Sequence, residues 1–519
     1  MYEGEKTIGA ILGHRAAEQP DGQVLTVDGV ALTYSGLDAD ASRIANAFAA
    51  LGLAKGDRVA VQLPNCAEFV QVWFGLARAG IVEVPLNVGL RGDLLAYALN
   101  RAECGAIVIS AEWAARIEEI RPRLDRKPTV VVVGDSDTAL PFSDLLTADA
   151  TRPDVAVSPD DTSIFLYTSG TTGPSKAVVL SHNANFFLAH NNVTAMEYTD
   201  EERLFTAFPL FHVNAKYTTV LPVMLMDRGA AVVHSRFSAS RFWDICREER
   251  ITGFNFMGAL ILMLHKQPER ENDRENPVKT GYGAPAPPAI TPAFEERFGV
   301  VLCESYGSTE LGIATANRRS QRRIGSCGVP VDGLEVQIQD ARGDEVPRGT
   351  IGEIAVRPQA PHLIVEGYYG MPEATLEAFR NFWFHTGDRG RQDEDGWFYY
   401  VDRMKDAIRR RGENISSWEV EQVLNDHALV AESAVVGVPS ELTEEEVLAY
   451  IVVKDDLEPS ALLDFAQQRL PHFAVPRYVA FIGELPKNPQ QRIQKFVLRD
   501  RGLPADAWDR ESVGYVVTR

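Results

Sequence analysis

The sequence has few cysteines and no long hydrophobic run. Its 5 cysteines are odd in number and form no C-x-x-C pair, so neither a disulfide framework nor a zinc site is expected. Such cysteine usage fits a reducing, cytoplasmic setting. The longest apolar run, Phe256–Leu264, has 9 residues, well short of the roughly 20 that span a bilayer. We therefore expect no stable membrane insertion, and Met1–Lys6 carries no sign of a secretory signal.

Basic residues are also scarce relative to acidic ones. There are 52 Lys and Arg against 72 Asp and Glu, which gives a net charge of −20. A surface of this sign repels phosphodiester backbones, so broad nucleic-acid binding is not expected. The chain of 519 residues is 45% hydrophobic and 24% charged, which is ordinary for a globular enzyme with several subdomains.

The hydrophobic pattern alternates between helix and strand over the first part of the chain. Ala41–Leu51 and Glu68–Ala79 have apolar residues at helical spacing, whereas Ala106–Ile109 and Thr129–Val133 are typical of buried parallel strands. Alternating units of this kind predict parallel sheets covered by helices. After Asp402 the pattern changes to short strands and helices, which predicts a separate small α+β domain.

The most informative segment is Tyr167–Lys176, with the sequence Tyr-Thr-Ser-Gly-Thr-Thr-Gly-Pro-Ser-Lys. It lies between two predicted strands, Thr162–Tyr167 and Ala177–Leu180. Glycines and hydroxyls can surround phosphate oxygens, and Lys176 adds a positive charge. A flexible surface loop is the alternative interpretation. An ordinary P-loop is not expected, because Ser175 rather than glycine precedes the lysine.

This segment resembles the phosphate-binding signature of the acyl-adenylate-forming superfamily, which includes acyl-CoA synthetases, peptide-synthetase adenylation domains and luciferases. Motifs of the right type follow in the right order from Leu32 to Lys495. The resemblance implies an α/β fold with a large N-terminal domain of parallel-type sheets flanked by helices, a small β-rich subdomain and a small α+β C-terminal domain. The implied boundaries are 1–402 for the domain that binds AMP and the acid, 403–405 for the hinge and 406–519 for the mobile C-terminal domain.

The implied chemistry determines which residue types are needed. Joining a carboxylic acid to a thiol in water is uphill, so the carboxylate first attacks the α-phosphate of ATP and pyrophosphate leaves. The protein must neutralise phosphate charge, hold Mg²⁺ and exclude water from the acyl-adenylate. The resemblance assigns the β- and γ-phosphates to Thr168, Ser169, Gly170, Thr171, Thr172, Gly173 and Lys176.

Further motifs supply the remaining nucleotide contacts by resemblance. In Tyr306-Gly-Ser-Thr-Glu310, the tyrosine packs on adenine, Thr309 contacts the α-phosphate, and Glu310 is the Mg²⁺ ligand. Alone, this motif is also typical of a turn followed by a capped helix. Small residues that let the backbone approach adenine are Gly283, Ala284 and Pro285, although a plain loop is the alternative. The ribose is assigned to Asp388 in the segment Trp383–Asp388 and to Arg403.

The acid and CoA sites are also assigned by resemblance. The acid pocket is expected to include His212, Val213, Asn214, Met257 and Gly258. A lone histidine in an apolar stretch is more often a core residue, but the motif order favours a catalytic place for His212. Lys216 would favour an anionic or polar acid if it pointed inward, yet we expect it to reach solvent. The hinge pivot is Lys405, the CoA tunnel includes Gly412 and Glu413, and Arg409–Arg411 is expected to be a solvated edge.

One motif departs from the family pattern. The family's final Gly-Lys is replaced by Gln491 and Arg492, and arginine keeps the charge on a bulkier fork. Arg492 can perform the adenylation role of the lysine, alter rate or substrate, or leave the first half-reaction weak. Lys487 and Lys495 are out of register and are expected on the surface.

The predicted function is an ATP- and Mg²⁺-dependent acid:CoA ligase that acts on a small carboxylic acid and CoA, as a monomer or homodimer. Phe256–Leu260, Lys266–Glu269 and Asn272–Val278 resemble the crotonobetaine/carnitine-CoA ligase-like branch. Two alternatives remain. One is a stand-alone adenylating enzyme that loads a carrier protein or another nucleophile, and the other is a nucleotide-binding homologue weakened by the replacement at Arg492.

Overall fold

A computed structural model describes residues 1–136, 139–168, 175–404, 408–410, 413–415, 417–440, 445–488 and 493–517. Contacts divide the chain into two compact units. The first comprises Met1–Val336 and Val356–Phe384, and the second comprises Gln337–Ala355 and His385–Arg519.

Two large sheets form the first unit. In the described residues, one has nine strands in the order β16-β15-β14-β13-β12-β10-β11-β1-β2 and the other has eight in the order β19-β9-β8-β4-β3-β5-β6-β7. The nine are β1 (Gln23–Val27), β2 (Val30–Thr33), β10 (Arg203–Thr206), β11 (Ala230–Val233), β12 (Gly253–Met257), β13 (Thr280–Ala284), β14 (Val301–Ser308), β15 (Gly312–Ala316) and β16 (Val329–Pro330). The eight are β3 (Arg58–Gln62), β4 (Val82–Pro85), β5 (Ala106–Ser110), β6 (Thr129–Val133), β7 (Leu140–Pro141), β8 (Thr162–Thr168), β9 (Lys176–Ser181) and β19 (Gly367–Tyr368).

Parallel pairing dominates the centre of both sheets. Strands β11, β10, β12, β13 and β14 are joined by parallel pairs, as are β8, β4, β3, β5 and β6. The carboxyl ends of parallel strands are where open α/β sheets bind ligands. Here β8 ends at Thr168, β12 at Met257 and β13 at Ala284, each next to a segment singled out in the sequence.

Helices cover these sheets. They are α1 (Ile8–Glu18), α2 (Tyr34–Ala50), α3 (Ala67–Ala79), α4 (Gly92–Arg101), α5 (Ala115–Ile120), α6 (Phe142–Leu145), α7 (His182–Met196), α8 (Val213–Ala215), α9 (Leu221–Leu225), α10 (Phe242–Glu248), α11 (Gly258–His265), α12 (Thr291–Phe298) and α13 (Pro372–Ala378). Short 3₁₀ turns occupy Ala111–Trp113 and Arg121–Arg123, and a π-helix occupies Lys216–Val220. Helix α3 shows why the periodicity succeeded: Phe69, Trp73 and Phe74 are all buried, and Gly80 ends the helix at φ +65°.

A five-stranded sheet contains the residues at which one unit gives way to the other along the chain. Its order in the described residues is β17-β18-β21-β20, with β22 also paired to β21. The strands are β17 (Leu334–Gln339), β18 (Gly352–Pro358), β20 (Phe379–Arg380), β21 (Trp383–Gln392) and β22 (Phe398–Arg403).

The second unit has its own α+β core. Its described elements are the hairpin β23 (Ile408–Arg410) and β24 (Glu413–Ile415), the sheet β25 (Val430–Pro439), β26 (Glu445–Val453), β27 (Tyr478–Phe481) and β28 (Trp508–Asp509), and the helices α14 (Ser417–Asn425), α15 (Pro459–Gln467) and α16 (Lys495–Asp500). Val420, Leu424, Val435, Ile451 and Leu463 are buried in one cluster. The predicted fold class, a large part with parallel sheets and a smaller α+β part, is confirmed. Within the part of the chain that the structure covers, no helix has the length and apolarity needed to cross a bilayer.

Candidate active site

The base of the predicted phosphate loop is formed by two strands. Thr168 ends β8, Lys176 begins β9, and the two residues are partners in an antiparallel register. The Lys176 ammonium lies 4.6 Å from the ring centroid of Tyr368, on β19. The remaining predicted loop residues, Ser169, Gly170, Thr171, Thr172 and Gly173, lie outside the described residues.

Tyr368 connects this lysine to the predicted metal ligand. The Tyr368 hydroxyl donates a hydrogen bond of 3.1 Å to Oε1 of Glu310. Burial, and then the Glu310 carboxylate, raise the pKa of Tyr368, so the phenol stays a neutral donor at physiological pH. Sequence reasoning missed Tyr368, because none of the recognised motifs includes it. Only the pairing of Tyr368 with Val178 shows that this tyrosine lies directly beside β9.

The predicted adenine and α-phosphate residues sit on a hairpin. Tyr306 lies in β14 and is 7% exposed, and Thr309 and Glu310 follow in the turn before β15. The alternative of a turn followed by a capped helix is therefore wrong. Gly307 is required here, because a Cβ at this position would come within 1.8 Å of the Gly312 carbonyl oxygen.

A similar close approach occurs at the predicted adenine turn. A Cβ at Gly283 would lie 1.9 Å from the Phe256 carbonyl oxygen, so only glycine lets β12 and β13 approach this closely. Gly283 also pairs with Glu304 on β14. The turn Gly283–Pro285 and the motif that begins at Tyr306 thus come from neighbouring strands.

Glu304 is a half-buried carboxyl that the sequence did not reveal. Burial raises its pKa to about 8, although a hydrogen bond from the Ala286 backbone opposes the shift. It lines a cavity of about 10 Å³, large enough for one water molecule, together with Thr291, Asn317 and Arg322. At neutral pH Glu304 is therefore a carboxylic acid that can both donate and accept a hydrogen bond.

The predicted acid-binding segment is clamped by side-chain amides. Asn65 donates to the carbonyls of Phe208 and His234, both at 2.9 Å, and accepts from the Leu210 backbone at 2.7 Å. His212 follows this clamp and caps α8. Burial lowers the pKa of His212 to about 4, so its imidazole is neutral at physiological pH.

A second amide links this segment to the other predicted pocket residues. The Asn255 amide donates to the side-chain oxygen of Asn214, and Asn255 precedes Met257 by two positions on β12. Met257 in turn pairs with Ala284. A Cβ at Gly258 would approach Pro285 to 3.0 Å. The structure therefore brings the predicted acid-pocket residues next to the predicted adenine turn.

Lys216 does not reach solvent, so the expectation that it would is wrong. Its side chain is 0% exposed, and its ammonium bonds both carboxylate oxygens of Glu83 on β4. The ammonium also faces the rings of Phe69 and Trp73, at 4.9 and 4.6 Å from the centroids. Burial lowers the pKa of Lys216 to about 8, against the opposing effect of Glu83.

The predicted ribose residues meet in the second unit. Asp388 and Arg403 are partners in the β21–β22 register, and Arg403 Nε lies 3.4 Å from Asp388 Oδ1. The Asp388 backbone N–H donates to Thr386 Oγ1 at 3.0 Å. This pairing orients a carboxylate and a guanidinium side by side, as recognition of vicinal hydroxyls and a phosphate requires.

Ion pairs in the second unit bear on three further expectations. Lys495 and Lys487 were expected on the surface, but their side chains are 15% and 16% exposed and pair with Glu421 and Glu432 at 2.8 and 2.5 Å. Arg410, expected at a solvated edge, is 3% exposed and pairs with Glu446. Acidic partners distant in sequence hold Arg410 inside the unit and leave the two lysines partly buried.

Lys495 belongs to a longer network. It donates to Ser417 Oγ at 2.7 Å, and Ser417 donates to Asp402 Oδ2 from both its backbone and its hydroxyl, each at 2.8 Å. Asp402 directly precedes Arg403. Of the remaining predicted residues, Lys405, Gly412 and Arg492 lie outside the described residues, and only the backbone of Glu413 is described, in β24.

The chain resembles known proteins over most of its length. The sequence pattern of the family described as AMP-binding enzyme matches residues 12–369, and that of its C-terminal domain matches residues 419–492. A crotonobetaine/carnitine–CoA ligase from Salmonella paratyphi B is 33% identical over 476 residues, covering 89% of this chain and 92% of the relative.

Solved structures agree in fold over nearly the whole chain. ATP-bound MatB from Rhodopseudomonas palustris has a TM-score of 0.86 and 28% identity, covering 96% of this chain and 99% of that one. The anthranilate CoA ligase AuaEII in complex with anthranoyl-AMP has a TM-score of 0.88 and 25% identity, covering 95% and 97%. With a family match over more than half of its length and a relative above 30% identity, the chain belongs to the AMP-binding enzyme family.

Proposed function

We propose that this protein is an acid:CoA ligase that activates a carboxylic acid as its acyl-adenylate and transfers the acyl group to the thiol of CoA. The observation that carries the proposal is the arrangement of Lys176, Tyr368 and Glu310 at the base of the phosphate loop. A cation and an oriented carboxylate joined through one tyrosine would suit the binding of a triphosphate. The comparisons bear out the predicted class of AMP-forming acid–thiol ligase.

Each half-reaction draws on different residues. In the first, the acid held near His212 attacks the α-phosphate while Lys176 balances the charge of the departing pyrophosphate and Arg492 that of the reacting oxygens. Because His212 is neutral, it packs beside the acid without pairing with it. In the second, the CoA thiol attacks the acyl carbonyl and AMP leaves, with Asp388 and Arg403 holding its ribose.

Mg²⁺ is proposed to bind with the triphosphate. Among the described residues no group of three or more His, Cys, Asp or Glu could hold a metal ion. Glu310, fixed by Tyr368, fits as the single protein ligand of a hard cation whose other ligands are phosphate and water oxygens. Bound there, the cation supplies charge neutralisation to the phosphates.

A screen of pyrophosphate release tests the proposed function. The protein is incubated with ATP and MgCl₂ and one acid at a time, namely crotonobetaine, carnitine, benzoate, anthranilate, o-succinylbenzoate or a fatty acid, with and without CoA. Acid-dependent pyrophosphate release with formation of the CoA thioester is expected for at least one acid. Release without thioester would favour the carrier-loading alternative, and ATP binding without release from any acid would favour the weakened homologue.

A further inference from the structure

The ion pair between Glu83 and Lys216 is completely enclosed. The two side chains are 1% and 0% exposed, and both carboxylate oxygens bond the ammonium. A buried pair of this kind is rarely more stable than apolar side chains of the same volume, because both charges lose their hydration. Stability of the fold alone therefore does not account for it.

The pair joins the two large sheets through a helix. Glu83 lies on β4 of the eight-stranded sheet. Lys216 begins the π-helix Lys216–Val220, which contacts β10, β11 and β12 of the nine-stranded sheet. π-Helical turns are rare and occur frequently at functional sites. Because Lys216 is the first residue of this turn, its bond to Glu83 holds the start of the turn against β4.

The position of the pair along the chain is informative. Lys216 follows His212 by four residues, so it lies about one helical turn beyond the predicted acid-binding residues. The segment Phe208–Thr218 is fixed at three places. Asn65 bonds the backbone of Phe208 and Leu210, Asn255 bonds the side chain of Asn214, and Glu83 bonds Lys216. His212 and Val213 lie between the Asn65 anchor and the two anchors that follow, at Asn214 and Lys216, so their position depends on all three.

We propose that Glu83 and Lys216 are positioning residues for acid binding: their bond fixes the register of Phe208–Thr218 so that His212 and Val213 hold the carboxylic acid beside the α-phosphate. The inference rests on the proposed function. Both side chains are enclosed, so we expect neither to touch the acid. Loss of the pair should therefore weaken acid binding and spare ATP, whose predicted contacts at Lys176, Glu310 and Tyr306 lie on other elements.

The double variant E83Q/K216M tests this inference. It removes both charges at nearly constant volume, so no unpaired buried charge remains. KM for the acid and KM for ATP are measured by pyrophosphate release with the most active acid of the screen above. The acid KM should rise about tenfold or more, whereas the ATP KM should change less than about twofold.

A matched control is available in the same unit. Arg297 and Asp273 also form a buried ion pair, with Nε and Oδ2 2.6 Å apart and side chains 12% and 8% exposed. The variant D273N/R297M should lower the melting temperature and leave both KM values unchanged. If E83Q/K216M behaved like this control, the pair would be merely structural and the inference would be overturned.

A milder variant covers the case in which the double variant does not fold. E83D keeps both charges and shortens the reach by one methylene, so it should raise the acid KM about threefold with a native circular dichroism spectrum. An unchanged acid KM in E83D would overturn the inference. An unmodified protein inactive with every acid would overturn the proposed function and this inference together, whereas an active protein with insensitive variants would overturn only the inference.

Discussion

The Nζ atom of Lys495 lies 2.8 Å from Oε1 of Glu421 inside the second unit. Glu421 also accepts from the Val435 backbone at 2.6 Å. The K495M variant leaves the carboxylate buried without its cation, so it should lower the free energy of unfolding by about 3 kcal/mol. Urea unfolding measures this. K454M, at an exposed lysine, is the control and should change stability by less than about 0.5 kcal/mol. A similar small effect of K495M would mean that the pair is solvated.

Arg492 lies three positions before Lys495, and its replacement should change activity rather than stability. Arg492 supplies the positive charge that the family's final lysine would carry. R492A removes this charge, so adenylation should slow about 10²- to 10³-fold. Thioester formation from supplied acyl-adenylate should be retained, because that step does not need this cation. Pyrophosphate release and thioester formation are measured separately, with exposed Arg501 as the control in R501A. Undiminished pyrophosphate release would contradict the role of Arg492.

Tyr368 and Tyr369 form a matched pair for testing the predicted metal ligand. Y368F removes the 3.1 Å hydrogen bond to Glu310 and should raise the KM for ATP and Mg²⁺ about tenfold, as expected for a bond to a charged acceptor. Y369F removes an exposed 3.3 Å bond to Glu103 and should change KM less than about twofold. Equal effects of the two variants would exclude a specific role for Tyr368.

Glu304 predicts a pH dependence of stability. Its pKa of about 8 in the folded protein exceeds the value near 4.3 expected when unfolded, so the folded state retains a proton that the unfolded chain loses. Stability from this group is therefore full below about pH 4 and falls by about 1.4 kcal/mol per pH unit up to about pH 8. The E304Q variant has no carboxyl group at this position, so its stability should not fall in this way.

The comparison of E304Q with the unmodified protein isolates Glu304, because every other group cancels in the difference. Urea unfolding at several values between pH 5 and pH 8 should show the variant gaining stability relative to the unmodified protein as the pH rises. E112Q, at an exposed glutamate, should show no such trend. A difference that stays constant with pH would mean that Glu304 titrates normally.

Phe382 should be replaceable with a gain in stability. Asn381 and Phe382 connect β20 to β21 with φ of +51° and +66°, and Phe382 is 90% exposed. A two-residue turn with both φ values positive favours Asn-Gly. F382G should therefore raise the free energy of unfolding by about 1 kcal/mol, while N381G should change it by only a few tenths, because asparagine tolerates this region. A loss of stability in F382G would indicate that the exposed ring makes a contact of its own.

The regular elements were predictable because their signal is local. Helix α3 was predicted as Glu68–Ala79 and is Ala67–Ala79, and the predicted strand Ala106–Ile109 is Ala106–Ser110. In each case the apolar residues within a dozen positions predict the element, and Phe69–Ala79 and Ala106–Ile109 are buried throughout. The pairing of Asp388 with Arg403 was likewise within reach, since both stand in motifs joined by a short hairpin.

The errors concern charged residues whose partners lie far away in the sequence. Lys216 and Glu83 are separated by 133 residues, and Tyr368 and Glu310 by 58. A solvent-facing lysine is the usual outcome when no partner is visible nearby. Only the fold brings the carboxylates into place, and the same reason explains why the pairing of Lys495 with Glu421 was not expected.

The two bonds from Ser417 to Asp402 span the predicted pivot at Lys405, since one residue precedes it and the other follows it. Rotation about that pivot would break both hydrogen bonds and expose the Ser417 amide and hydroxyl to water until new partners bind them. Each such exchange costs activation energy even where the net change is small. These two bonds would then add to the barrier for alternation between the two half-reactions.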